Sequence, residues 1–170
     1  MTTAATKTVA ADAPVVEVMV TQLIAVTRDV FATMLDKTVE FGEPSYTGPQ
    51  PSANVVATVG FAGTLSGYVS LCVSYEAALE IAQALLGSEA DEAPEHVRDA
   101  AGEMANMIAG NVRTAMADRG ETVGISMPIV TVGTDFSTAA LRDVSQAVCP
   151  FKVGQQNMFV YLVLQGKGRH

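Results

Sequence analysis

Apolar and polar positions change their period several times along the chain, and these changes divide it into helices and strands. Apolar residues spaced three and four positions apart predict helices over residues 14–35, 75–86 and 94–119. Gly87 and Gly120 follow the second and third segments, where glycine commonly ends a helix. Runs rich in valine and aromatic residues predict strands over residues 37–41, 55–61, 67–74, 122–131, 146–153 and 157–165.

Proline and glycine mark the breaks between these elements. Residues 45–54 contain Gly48, Pro49 and Pro51 and are predicted to form a loop. A second loop is expected over residues 133–145. Pro128 is expected to bend or interrupt the predicted strand 122–131.

The order of elements contains a faint repeat. Val39 and Pro44 lie five positions apart, after one long helix and before a loop and a hairpin. Val123 and Pro128 have the same separation, after the other long helix and before a second loop and hairpin. The simplest architecture is α+β: a mostly antiparallel sheet with the long helices packed on one face and two pseudo-equivalent helices side by side.

The third helix carries a polar stripe. Glu103 and Asn106 are separated by only about 60° around the helix axis, and Gly110 falls between them, one to two turns further along. A glycine inside a helix costs about 1 kcal/mol relative to alanine, and on an exposed face it lets the backbone of another protein come close. The stripe is a candidate protein-facing site, and the alternative is a solvated surface with no task. The opposite, apolar face is predicted to contain Val97, Ala101, Met104, Ile108, Val112 and Ala115.

Two neighbouring residues are interpreted differently. Asn111 lies within about 20° of Met104, on the predicted core side, and is therefore expected to be a structural hydrogen-bonding residue. Met107 lies between the core face and the stripe, so it either flanks the docking surface or packs.

Composition limits the class of protein. With 170 residues, of which 49% are apolar and 16% charged, the chain is expected to have a flexible tail over residues 1–13 and a single domain over residues 14–170. The net charge of −8 argues against nucleic acid or an anionic membrane as partner. No signal peptide is recognisable, and no membrane span is expected because polar residues interrupt every apolar stretch.

The usual catalytic residue types are scarce. Cys72 and Cys149 fall in strand-like apolar runs and are expected to be buried small hydrophobes in a reducing cytoplasm. His96 and His170 are too few and too isolated for a metal site or a catalytic triad, and no glycine-rich phosphate loop occurs. An enzyme built on this sequence would have to work without the common nucleophiles and bases.

The third helix also carries a family signature. Glu103-x-x-Asn106 followed by Gly110 and Asn111 resembles the pattern ExxNxxxGN of the CheC/CheX/FliY family of bacterial response-regulator phosphatases. Helix, Val-x-x-x-x-Pro strand and hairpin follow in the family order, so the resemblance extends over about residues 15–165.

The resemblance implies hydrolysis of the aspartyl phosphate on a CheY-like receiver domain. Asn106 would position the attacking water, and Glu103 would pair with a lysine of the partner. Asp99, Met107 and Gly110 would contact that partner. The chain would have no cofactor of its own, because the receiver would supply the magnesium ion.

The first helix lacks a second copy of the signature. Glu17 is followed three residues later by Val20 rather than by asparagine. In this respect the chain resembles the CheX-like branch of the family. That resemblance implies one site per chain and a homodimer in which sheets join across subunits.

Two other functions are open at this stage. One is a non-catalytic receiver-binding or signalling scaffold module of the same fold. The other is a small-ligand site in the interior or in a dimer cleft, although nothing in the sequence identifies a pocket.

Overall fold

The computed structural model describes residues 13–87, 93–139 and 143–165. The predicted tail, apart from Ala13, residues 88–92 between the second and third helices, and part of the second loop lie outside these ranges. Within them the chain forms three helices, α1 Ala13–Leu35, α2 Tyr75–Leu86 and α3 Pro94–Ala117. Seven strands accompany them: β1 Glu40–Phe41, β2 Ala53–Gly63, β3 Gly67–Val73, β4 Val123–Ile125, β5 Ile129–Phe136, β6 Val144–Val153 and β7 Gln156–Gln165.

The helix ends follow local chemistry. The Ser74 hydroxyl accepts a hydrogen bond from the backbone N–H of Ala77 and so caps α2, which ends at Gly87 with a φ of 91°. Pro94 opens α3, where its missing N–H is not needed. Helix α3 ends at Ala117, two residues before the predicted end.

The sheet confirms the predicted α+β class. Every strand pair is antiparallel, and the strand order is β1-β6-β7-β3-β2-β4, with β5 also pairing with β2. The strands form equivalent pairs: β1 corresponds to β4, β2 to β6 and β3 to β7. Replacing each strand by its equivalent gives the same order read from the other end. The sequence repeat is therefore a pseudo-two-fold, in which the short strand of each half pairs with the hairpin of the other.

One strand prediction and one loop prediction need correction, and one prediction is confirmed. The strand expected over residues 37–41 forms only at Glu40–Phe41. The interruption expected at Pro128 is confirmed, because the segment 122–131 is divided there into β4 and β5. The second loop was predicted to begin at Gly133, but β5 continues to Phe136, because pairing with β2 holds this polar segment in extended form.

The main core lies between the sheet and the three helices, and α3 is central to it. Helix α3 contacts both α1 and α2, as well as strands β2 to β5. Its buried residues are Val97, Ala100, Ala101, Gly102, Met104, Ala105, Ile108, Ala109, Val112 and Met116. Because one side of α3 is fully used in this way, its other side is the part left for function.

Helix α1 qualifies as a candidate membrane span by length and composition, which the sequence analysis did not expect. Residues Val15–Leu35 have a mean hydropathy of 1.4. In the fold, however, Leu23 and Phe31 of this helix are completely buried in the protein core. The core helix of a globular domain has the same composition, so this is weak evidence for a membrane span.

Candidate active site on the long helix

The side chains of α3 are oriented by the position of its buried face. That face is centred near Val112, with Ala101 and Ala105 on either side. Glu103 lies about 180° from Val112 around the helix and is exposed, while Asn106 lies about 120° away and is partly exposed. Both predicted site residues therefore point away from the core.

Four residues form what we call the α3 stripe: Asp99, Glu103, Asn106 and Gly110. The carboxylates of Asp99 and Glu103 are exposed, one helical turn apart. Asn106 and Gly110 are also one turn apart and are partly exposed. The structure thus brings the predicted catalytic pair together with two of the predicted partner contacts.

The polar side chains of the stripe are not engaged within the fold. Among the residues that the structure describes, no hydrogen bond or ion pair involves the side chain of Asp99, Glu103 or Asn106. A carboxamide offers two donor hydrogens and an acceptor oxygen, and no described residue uses any of these groups of Asn106.

The two glycines of α3 have different reasons to be glycine. A Cβ at Gly102 would lie 3.2 Å from Cγ2 of Val130 and 3.6 Å from Cγ of Pro128, so this glycine lets β5 approach the helix. A Cβ at Gly110 would meet nothing within 4 Å. Packing inside the chain therefore does not require Gly110. Gly102 is absent from the predicted residues, although a small residue at the edge of an apolar helix face is a signal of close packing.

The prediction for Asn111 is wrong. Its side chain is exposed rather than on the core side. The predicted apolar face is centred near Ile108, but Ala105, Ala109 and Met116 are also buried and shift that centre toward Val112. Asn111 then falls about 100° from the centre, outside the core.

Met107 is half-buried and packs against the main core. The packing interpretation of this residue is therefore the one that the structure supports. Its remaining exposed part lies beside the α3 stripe.

Other kinds of chemistry find little support in the described residues. Cys72 and Cys149 are buried, as predicted, and burial raises the pKa of each thiol to about 12, which keeps both protonated at neutral pH. No group of three His, Cys, Asp or Glu residues within the described ranges could hold a metal ion. A shallow groove of about 420 Å³ lies beside β1, and none of the residues that line it belongs to α3.

Comparison with known families gives a match that spans helix α3. The family model described as chemotaxis phosphatase CheX matches residues 55–152, which include the whole α3 stripe. No curated protein matches the sequence.

Solved structures show the same fold. The chemotaxis protein CheX from Desulfovibrio desulfuricans is 25% identical with a TM-score of 0.81, covering 86% of this chain and 99% of its own. CheX from Vibrio vulnificus is 24% identical with a TM-score of 0.80, over 86% and 99% of the two chains. A chain of the CheX–CheY–BeF3–Mg complex from Borrelia burgdorferi is 21% identical with a TM-score of 0.71, over 86% and 97%.

These matches confirm the family resemblance that the ExxNxxxGN pattern suggested. Since the family model covers more than half of the sequence, the chain belongs to the CheX family of chemotaxis phosphatases.

Proposed function

We propose that this protein hydrolyses the aspartyl phosphate of a CheY-like response-regulator receiver domain. Asn106 orients the attacking water, and Glu103 anchors the receiver through a lysine. The observation that carries this proposal is the α3 stripe, where an unengaged carboxamide and an unengaged carboxylate face outward on one rigid helix.

The chemistry asks little of the phosphatase itself. Water attacks phosphorus, the new O–P bond forms, and the bond between phosphorus and the aspartyl oxygen breaks, which releases inorganic phosphate and the receiver's carboxylate. Phosphoryl transfer of this kind depends on positioning and charge stabilisation rather than on a covalent intermediate. The charge on the phosphoryl oxygens is balanced by magnesium held by the receiver, so this chain needs no cofactor of its own.

Asn106 supplies the positioning. Its amide oxygen accepts a hydrogen bond from the water, which directs a lone pair of the water toward phosphorus. A neutral amide can enter the receiver's pocket without adding negative charge beside the phosphoryl group, whereas a carboxylate in its place would repel it.

Glu103 supplies the register. It lies three residues before Asn106, about 4.5 Å along the helix axis, so an ion pair at Glu103 fixes how far Asn106 reaches into the partner. Asp99 continues the acidic surface one turn further out and favours a basic receiver surface. The partly exposed backbone at Gly110 leaves room for the receiver to approach.

We also propose that the protein works in the cytoplasm as a homodimer. Strand β5 pairs with β2 on one side, and its residues Thr131 and Thr134 are exposed. Among the described strands none pairs with the other edge of β5, and an edge of this length is suited to pairing with a second copy. Light scattering should therefore give a molar mass twice the 17.7 kDa of the chain, and a monomeric mass at micromolar concentration would contradict the dimer.

The phosphatase itself is tested with phosphorylated receivers. Each receiver encoded in the source genome is phosphorylated with a small-molecule donor in magnesium buffer, and phosphate release is followed with and without the protein. The cognate receiver is expected to lose phosphate at least about tenfold faster. No acceleration with any receiver would refute the proposal, and tight binding with an unchanged phosphate lifetime would identify a docking module instead.

A further inference from the structure

The turn between β4 and β5 presents an apolar side chain to solvent. Met127 is 84% exposed, the largest fraction among the large apolar side chains of the described residues. Neither its packing nor its strand pairing accounts for an apolar residue at this position.

Hydrogen bonds hold this turn in one shape. The N–H of Ser126 donates to the carbonyl oxygen of Gly60 at 2.8 Å. The Ser126 hydroxyl accepts from the N–H of Gly60 at 3.0 Å and donates to the carbonyl oxygen of Met127 at 2.9 Å. Pro128 follows and fixes its own φ. Met127 is therefore displayed on a rigid backbone, which lowers the entropy lost when a partner covers it.

The same turn lies beside the α3 stripe. Pro128 lies 3.6 Å from the position of a Cβ at Gly102. Gly102 directly precedes Glu103 and is one helical turn before Asn106, about 40° away around the axis. A partner that covers Asn106 therefore also reaches the turn that carries Met127.

We propose that Met127 is an affinity-determining residue for the receiver domain: an apolar anchor that contacts the receiver beside its phosphorylated aspartate. This inference rests on the proposed function, and it adds a second contact from the sheet edge to the one made by α3. Methionine suits the position, because its unbranched thioether adapts to the surface of a partner. Exposed apolar anchors next to polar contacts are common centres of binding energy.

A second copy of the chain is a poorer occupant for this turn. Joining sheets between subunits needs free backbone groups, but the N–H of Ser126 and the carbonyl of Met127 are already hydrogen-bonded, and Pro128 has no N–H. An intersubunit sheet formed by β5 would therefore end before Met127.

Ile129 provides a matched control. It is 70% exposed and only two residues away. Its strand partner is Thr58, whose hydroxyl bonds to Ser70 on the sheet face opposite the helices. Ile129 therefore faces away from α3, and its replacement removes a similar apolar area from a different surface.

The test compares Met127→Ser with Ile129→Ser. Both are made in an Asn106→Ala background, and binding is titrated with the cognate receiver held in its activated form by beryllofluoride and magnesium. Met127→Ser is expected to raise the Kd about tenfold, Ile129→Ser less than about twofold, and Met127→Leu is expected to restore affinity. When Asn106 is left unmutated, Met127→Ser should raise the KM for the phosphorylated receiver and leave kcat unchanged.

The proposal would be overturned if the activated receiver bound equally well to proteins with serine and with methionine at position 127. A loss of affinity that accompanies a change in molar mass would also overturn it, since the turn would then serve self-association. Thermal unfolding of each variant separates misfolding from lost contact, and Met127→Ala, which also removes the apolar anchor, provides the readout if the serine variant unfolds early. Binding without hydrolysis by the unmutated protein would remove the phosphatase proposal alone, whereas the absence of any binding would overturn both.

Discussion

Helices α1 and α3 occupy equivalent places in the two halves of the pseudo-two-fold fold, yet only α3 carries a candidate site. Seven buried positions have the same spacing in both helices, whereas Val30 of α1 and Gly102, Ala105 and Ala109 of α3 are buried without a buried counterpart. The seven of α1 are Val16, Met19, Val20, Leu23, Thr27, Phe31 and Leu35, and those of α3 in the same order are Val97, Ala100, Ala101, Met104, Ile108, Val112 and Met116.

The outward faces differ at the positions that matter. Aligned by the buried spacing, α1 has Gln22 where α3 has Glu103, and Ala25 where α3 has Asn106. The fold therefore requires the buried spacing only, and the outward residues are free to differ. The stripe on α3 is a property added to the fold rather than one needed by it.

Removing the carboxamide from α3 should give the largest effect. Asn106→Ala is expected to lower the phosphatase rate at least about 100-fold, because the water loses the group that orients it. The free energy of unfolding should change by less than about 0.5 kcal/mol, since Asn106 bonds to no described residue. Phosphate release and urea unfolding, measured on the same preparation, check both values.

Asn111→Ala is the matched control for that variant. Asn111 is also an exposed asparagine of α3, but it lies off the stripe, so rate and stability should both stay near those of the unmutated protein. A similar loss of rate in both variants would assign the effect to the helix as a whole.

Exchanging an equivalent buried pair should have the next largest effect. Ile108→Thr is expected to lower the free energy of unfolding by about 2–3 kcal/mol, because the core loses apolar volume and gains a hydroxyl. Thr27→Val should change it by less than about 1 kcal/mol, since the hydroxyl of Thr27 only adds a 2.7 Å bond to the Leu23 carbonyl within the helix. Equal losses in urea unfolding would mean that the two buried faces are less alike than their spacing indicates.

The two glycines of α3 should separate docking from packing. Gly110→Ala is expected to raise the free energy of unfolding by about 0.5–1 kcal/mol, since the added methyl group meets nothing in the chain. The free energy of unfolding of Gly102→Ala should be at least about 0.5 kcal/mol lower than that of Gly110→Ala, because Val130 must move to accommodate a contact of 3.2 Å. Differential scanning calorimetry checks the difference.

Receiver binding provides the second readout for this pair. Gly110→Ala should weaken it despite the more stable fold. Unchanged affinity for the activated receiver would remove Gly110 from the docking surface.

Placing the Glu103 and Asn106 side chains at the equivalent positions of α1 should have the smallest effect. With Gln22→Glu and Ala25→Asn added to an Asn106→Ala protein, no phosphatase activity is expected to return. The position that aligns with Gly110 holds Asp29, and the turn position equivalent to Met127 holds Glu43, so the surroundings of the pair are missing. Recovery of more than about a tenth of the original rate would show that two residues on a helix suffice, and it would weaken the role given to the Met127 turn.

The sequence predicts the fold class well because period and turn residues are local signals. Pro128, Gly87 and the two hairpins all appear where the pattern placed them. The extension of β5 through Gly133 was missed, since its strand character comes from pairing with β2 rather than from its own residues. The strand order likewise depends on contacts between the two halves.

The site was predictable in part for a related reason. Glu103 and Asn106 are recognisable from their spacing and the family pattern. The exposure of Asn111 was not, because alanines such as Ala105 and Ala109 fit either face of a helix, and tertiary packing decides which side they take. The role of the Met127 turn depends on the position of β5 against α3, which the sequence does not give.

The exchange of short strands between the halves bears on how the molecule unfolds. Strand β1 completes the hairpin of the second half, and β4 completes that of the first. Neither half can close its sheet without a strand contributed by the other, so a chain cut between α2 and α3 yields two fragments that each expose unpaired edges. The interlocked edges couple the halves into one cooperative unit, in which loss of either short strand loosens the half that did not encode it.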